Sequence, residues 1–391
     1  MWVIINDFNL KKMITSLSER KSYSCLEKYT YLNQASLGLI SNTSTEKMTQ
    51  FLNRKARFGN IHISDEDEIS LVNNLRKNAS KLLRCQPNQT AVLSSASELL
   101  SQIPYILKPP KNSEILLVKS DFPAVTRPWI KYSKNKFCSI KFIKEETKKD
   151  LTEIIIKNIK PKTSVIAVSL IQYSTGTKIN LDILSRTAQS NGIKLVIDVT
   201  QAIGAIPIYA NQWNADFLVS SGYKWLGGHG GVGLACIGQN YLKSDPLNAG
   251  WMGTPKPFSM ISDRCEYYKN AKSYTQSTMS YVSIIGLQNS IKEIIRLNPK
   301  KIEHHAINLS KYFNSGINKK KWRIFKNKNN STNSFHIISF QPKSKFIEAD
   351  MIFQKLKKNK IICSLRNKKL RISFAHFNNQ KDINHLLETL N

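Results

Sequence analysis

The stretch KLVIDVTQAIGAIPIYANQWNADFLVSSGYKWLGGHGGVG, residues 194–233, decides how this chain is read. Its opening run, 194–200, is rich in Val and Ile and follows the turn signal Asn191-Gly192, which predicts a buried strand. Asp198 falls among the last residues of that run, and Gln201 follows three positions later. A second apolar run, 216–222, ends just before Lys224 in Ser221-Gly222-Tyr223-Lys224-Trp225. Open parallel sheets bind ligands at the carboxyl ends of their strands, so Asp198 and Lys224 are predicted to meet on one rim. Gly227, Gly228, Gly230, Gly231 and Gly233 come next, and backbone without Cβ atoms can turn sharply beside a bound group.

The two residue types suit one kind of chemistry. A carboxylate keeps a neighbouring ring nitrogen protonated, because a negative charge favours the cation. A lysine amine condenses with an aldehyde as a Schiff base. Together they point to a flat, electron-withdrawing aldehyde, and pyridoxal phosphate is the cofactor expected. Neither residue carries this alone. In a chain with 58 Lys+Arg a lysine after a strand is usually solvated, and an Asp ending a strand is usually a turn former or cap. Their order and spacing carry the reading.

On Asp198-Val-Thr-Gln201 and Ser221-Gly-Tyr-Lys224-Trp the chain resembles the class V aminotransferase family of fold-type I pyridoxal phosphate enzymes. That family includes cysteine desulfurases, selenocysteine lyases, kynureninases and isopenicillin N epimerase-like proteins. The resemblance runs from about Tyr31 to the C-terminus. It implies an aspartate aminotransferase-like α/β fold with a mainly parallel sheet in a large cofactor-binding domain, 36–280. A smaller α+β domain would comprise 1–35 plus 281–391. It also implies Lys224 as the Schiff-base lysine, Asp198 as partner of the ring nitrogen and Gln201 as donor to the phenolic oxygen.

Other segments fall where the family has them. Ser95, Ala96 and Ser97 in AVLSSASELL (91–100) match a phosphate-cradling turn that opens a helix, whose free N–H groups suit an anion. Ordinary serine capping is the bland alternative, and Ala96 stands where the family usually has a hydroxyl. Ser221 and Tyr223 match further phosphate ligands. Phe122 in VKSDFPAVTRPW (118–129) matches the side chain stacked over the ring, and Tyr173 or Ser174 in QYSTGTKINL (172–181) a neighbour of it. Thr278 matches a threonine that reaches the phosphate of an adjacent subunit, which implies a homodimer with composite sites. Arg371 in LRNKKLRISFAHFNN (365–379) matches an arginine for the substrate carboxylate, a geometry the guanidinium fork suits; Arg366 is the fallback. Specificity for the substrate side chain is expected around Asn33-Gln34-Ala35-Ser36, Tyr173 and Trp251, with Ser36 as a substrate contact.

The reaction is read partly from an absence. A cysteine desulfurase needs an accessible thiolate on a flexible loop, and the one late cysteine, Cys363, sits in the apolar run Ile361-Ile362-Cys363 close to Arg371. A buried thiol is predicted, and the persulfide-forming reaction is disfavoured. Proton abstraction by Lys224 followed by β-elimination, epimerisation or transamination remains, with carbon–sulfur β-elimination ahead.

Composition bounds the rest. At 391 residues and 41% hydrophobic content the chain supports a large core and two domains. It has no apolar run of membrane-spanning length, and MWVIINDF is too short for a signal peptide. Six cysteines without C-x-x-C pairs suggest neither disulfides nor zinc, and a reducing cytoplasm is expected. SDEDEISLVNNLRKNASKLL (64–83) is the clearest helix, capped by Ser64, with Ile69, Val72, Leu75, Ala79 and Leu82 on one stripe. Strands are predicted at 114–118, 165–171, 194–200, 216–220 and 231–237. The formal charge of +31, with the basic runs 319–330 and 355–360, raises a nucleic-acid or acidic-partner reading on a decayed enzyme fold. Lysine scattered over solvated faces is preferred, because neither run resembles a nucleic-acid module. A dinucleotide reading of the glycines fails because they precede a strand.

Overall fold

The computed structural model describes residues 13–147, 149–325, 332–344 and 346–391. After the short strand β1 (Thr30–Tyr31) come helices α1 (Asn42–Phe58) and α2 (Asp65–Leu83). Strands and helices then alternate: β2 (Thr90–Leu93), α3 (Ala96–Leu107), β3 (Glu114–Val118), α4 (Pro123–Lys136), β4 (Ser139–Ile143), α5 (Leu151–Lys157) and β5 (Thr163–Ser169). The alternation continues through α6 (Leu181–Ser190), β6 (Lys194–Asp198), α7 (Ala210–Trp213), β7 (Phe217–Ser221) and β8 (Gly233–Ile237). These strands form one sheet in the order β2-β8-β7-β6-β5-β3-β4. Only β8 runs antiparallel to its neighbours; the pairs from β7 through β4 are parallel. β6 reads Lys-Leu-Val-Ile-Asp with its last four residues buried, as expected for a strand covered on both faces.

The remaining elements are α8 (Tyr281–Leu297), α9 (Pro299–Gly316), β9 (Trp322–Ile324), β10 (Ile337–Pro342), α10 (Ala349–Lys358), β11 (Ile361–Ile362), β12 (Ser364–Arg366), β13 (Lys369–Ser373) and α11 (Gln380–Leu390). Four of these strands make a second, antiparallel sheet ordered β12-β13-β10-β9. Its core joins Phe313, Phe340, Leu370, Phe374 and Leu386. The N-terminal segment is stitched to this body: β1 pairs with β11, Ser373 N donates to Leu32 O at 2.9 Å, and Arg20 pairs with Asp382 at 2.8 Å.

Local signals explain the helix that was clearest in the sequence. Ser64 Oγ accepts from Asp67 N at 3.2 Å and Asp67 Oδ2 accepts from Ser64 N at 3.1 Å, closing a capping box. The stripe beyond it, Val72, Leu75, Ala79 and Leu82, is buried while Ile69 is half-buried. Helix α8 packs on α1 and α2 and shares their core through Ile284, Leu287 and Ile291. Periodicity tells that a face is buried and not what buries it.

Among the described residues no helix is long and apolar enough to cross a membrane, and no group of His, Cys, Asp and Glu could hold a metal ion. The basic run 319–330 is described only as far as Phe325. Its Trp322 is buried in the second core rather than offered to a base, and Lys369 lies over the Phe325 ring at 4.3 Å.

Candidate active site

Four strand ends converge on one rim. Asp198 closes β6, Lys224 follows β7 by three residues, Phe122 follows β3, and Tyr173 follows β5. Asp198 is buried, with Oδ1 accepting from Thr200 N at 2.7 Å. Burial pushes its carboxyl up, while Thr200's hydrogen bonds and the Lys224 charge pull it back down. Lys224 is 7% exposed. Burial lowers its ammonium to about 8, opposed by Asp198 and reinforced by Arg371 and Arg366. Its Nζ lies 5.1 Å from the Phe122 ring centroid and 5.7 Å from that of Tyr223. Phe122 meets Tyr173 edge-on at 5.4 Å and is 37% exposed, so one aromatic surface is left uncovered.

A capped helix start lies on the same rim. Ser95 caps α3, its Oγ accepting from Glu98 N at 3.1 Å. The N–H groups of Ala96 and Ser97, in the first turn, have no carbonyl four residues back to receive them. Buried Ala96 offers backbone only, whereas Ser97 is exposed. A Cβ on Gly233 would stand 2.6 Å from Ser95 C and 2.7 Å from Ala96 N, so only glycine lets β8 approach this turn. Ser221 is half-buried beside it in sequence to Tyr223, whose phenol is raised by burial and then by Asp198.

Arginines fill the side toward the second sheet. Arg371, 1% exposed, donates from Nη1 to Tyr173 O at 2.7 Å and from Nη2 to Ser364 Oγ at 3.2 Å, while its buried Nε has no partner. Arg366 Nη2 donates to Ser36 Oγ at 3.1 Å. Neither guanidinium has a carboxylate within ion-pair distance among the described residues. An uncompensated pair of cations beside Lys224 favours an anionic substrate group. Thr278 stands apart from this cluster, exposed on the loop before α8.

Several residues around the site gave no signal, or another one, in the sequence. Asp121 is buried and accepts four hydrogen bonds: from Phe122 N, Ser169 N, Ser169 Oγ and Gln172 Nε2 at 2.6–3.1 Å. It thereby fixes Phe122 to the end of β5; burial pushes its carboxyl up to about 6. Its position just before Phe122 was the only available hint. Gln201 Nε2 donates to Ala35 O at 2.9 Å, and its Oε1 accepts from Trp225 Nε1 at 2.8 Å. One amide hydrogen of Gln201 is therefore committed and one is left. His336 donates from Nε2 to Gln201 O at 2.8 Å and meets Trp225 edge-on at 4.5 Å. No sequence signal links positions so far apart.

The segment Asn33–Ser36, read from sequence only for specificity, continues to Gly38 as a strap across the lysine. Gln34 Nε2 donates to Lys224 O at 3.0 Å, Gly38 N donates to Tyr223 O at 2.9 Å, and Ala35 N donates to Ser373 Oγ at 3.0 Å.

The family model described as aminotransferase class-V matches residues 30–386. A kynureninase of Debaryomyces hansenii is 25% identical over 272 residues, covering 64% of this chain and 59% of that enzyme. The matches to the first three kynureninases span 59%, 65% and 52% of their lengths. Among solved structures, a C-DES mutant with glycine covalently linked to its PLP cofactor superimposes with TM-score 0.85 at 19% identity, over 95% of this chain and 99% of that one. An apo cysteine desulfurase from Thermococcus onnurineus NA1 gives TM-score 0.81 at 17% identity, over 95% and 96%.

Proposed function

The chain belongs to the aminotransferase class-V family, a pyridoxal phosphate enzyme of the fold-type I class, and on that premise we propose a carbon–sulfur β-lyase acting on an amino acid. The residues present fit the cofactor. The α3 N-terminus with Ser95, Ala96 and Ser97, together with Ser221 and Tyr223, would hold its phosphate. Phe122 offers an aromatic face, Asp198 a buried carboxylate for a cationic ring nitrogen, and Gln201 its remaining amide hydrogen. Bound there, the cofactor supplies an electron-withdrawing ring that stabilises negative charge on the substrate α-carbon.

The protein's own contribution follows from the geometry. Arg371, with Arg366 beside it, would orient the substrate α-carboxylate. Lys224, lowered to about 8 by burial, has roughly a tenth of its amine neutral at pH 7. Its Nζ can then take the α-proton, and the electron pair left behind expels a thiolate from the β-carbon. A homodimer with Thr278 serving the neighbouring subunit belongs to the same reading. Exposed Trp251, Met260 and Ile261 would find cover in such a contact; a monomer-sized particle by sedimentation would remove that part.

One observation carries the choice against sulfur transfer. Cys363 is 5% exposed, and burial pushes its thiol up to about 12, with Arg371 opposing. A buried neutral thiol does not attack a substrate sulfur. Cysteine S-conjugates should therefore give pyruvate, ammonia and free thiol in equal amounts, and Cys363→Ser should keep full activity. Alanine and a Cys363 persulfide would reverse the assignment. Kynurenine is a necessary control substrate, given the kynureninase relatives and Phe122; anthranilate formation in place of pyruvate would favour that second reading.

A further inference from the structure

Arg76 is a buried cation with no anion to face. On α2 it is 4% exposed. Its Nε donates to Thr90 O at 2.9 Å, Nη1 to Asn73 Oδ1 at 2.6 Å and Nη2 to Thr275 Oγ1 at 3.4 Å. All three acceptors are neutral, and among the described residues no carboxylate lies within ion-pair distance of it. Taking a lone cation out of water is costly unless a counter-charge accompanies it.

The surroundings sharpen the imbalance. Lys272 is half-buried, its ammonium 4.9 Å from the Tyr268 ring centroid. Burial lowers that ammonium and the Arg76 charge lowers it further, so the two cations are close enough to repel. Between them opens a cavity of about 30 Å³ lined by Asn73, Arg76, Met252, Tyr268, Lys272 and Thr275. Among the described residues, the titratable groups on its wall are the two cations and the Tyr268 phenol. A space of this size has room for about one water-sized occupant.

We propose that this cavity binds a single monatomic anion, chloride under ordinary conditions, between the Arg76 guanidinium and the Lys272 ammonium. The site is separate from the Lys224 cluster and does not depend on the reaction assigned to it. The ion would tie α2 and β2 to the 250–275 segment, since Thr275 Oγ1 also donates to Val92 O at 2.9 Å. That segment runs directly into Thr278.

The test uses the full chain with its cofactor, heated in chloride and in gluconate at one ionic strength. Chloride should raise the unfolding temperature saturably, by about 2 °C or more. Lys272→Met, a change at a half-buried position, should fold and lose most of that response. Crystals of the unaltered protein soaked in bromide should show an anomalous peak beside Arg76. Equal unfolding temperatures in the two salts would overturn the proposal, as would an undiminished response in Lys272→Met. A cavity without bromide, or filled by an acidic side chain of a second copy, would do the same.

Discussion

Lys224→Ala is expected to abolish the visible absorption band of the bound cofactor and to slow turnover by about 10⁴-fold or more. The loss combines two roles of one amine, covalent attachment and proton transfer at the α-carbon, and positioned proton transfer alone is worth about 10²–10⁴-fold. The structure makes substitution by another lysine unattractive. Burial, with Arg371 and Arg366 nearby, lowers the Lys224 amine to about 8, whereas a solvated lysine keeps its proton near neutrality. A variant that keeps both its colour and its rate would remove Lys224 from the chemistry, and with it the proposed function.

Gly38→Ala is expected to cost about 3 kcal/mol of stability and to loosen the cofactor. A Cβ at this position would sit 2.0 Å from Lys224 O and 2.9 Å from Gln34 Nε2. The first contact is with backbone, so no rotamer change relieves it. The strap must lift or Lys224 must move, and either breaks the hydrogen bonds from Gln34 and Gly38 to the lysine segment. Urea unfolding and cofactor retention on dialysis measure the two effects together. A variant as stable as the parent, with full cofactor, would show that the strap has slack and does not set the lysine.

Much of the architecture was legible from local pattern. The predicted strand at 114–118 coincides with β3, and the runs at 165–171, 194–200, 216–220 and 231–237 overlap β5 to β8 within a few residues. Buried strands of a parallel sheet are continuous apolar runs, which stand out in a sequence this rich in charge. Strands β2 and β4 were missed. β2 is hidden in the segment read as a phosphate turn, and β4 is an edge strand carrying exposed Ser139 and Phe142. The meeting of Asp198 and Lys224 also followed from pattern, because consecutive strand ends of a parallel sheet share a rim.

What the sequence determined by itself was therefore the set of chemical groups and the edge on which they gather: a lysine, an acid, a capped helix start and two arginines. Spacing along neighbouring strands suffices for that. What only the tertiary structure decided was how those groups are held and charged. Asp121 bonded to Ser169 and Gln172, His336 behind Gln201 and Trp225, the Asn33–Gly38 strap over Lys224, and the unpaired charge of Arg76 all join residues distant along the chain. Hydrogen bonds and desolvation act over a few ångströms of space whatever the separation in sequence, so no reading of local pattern can reach them.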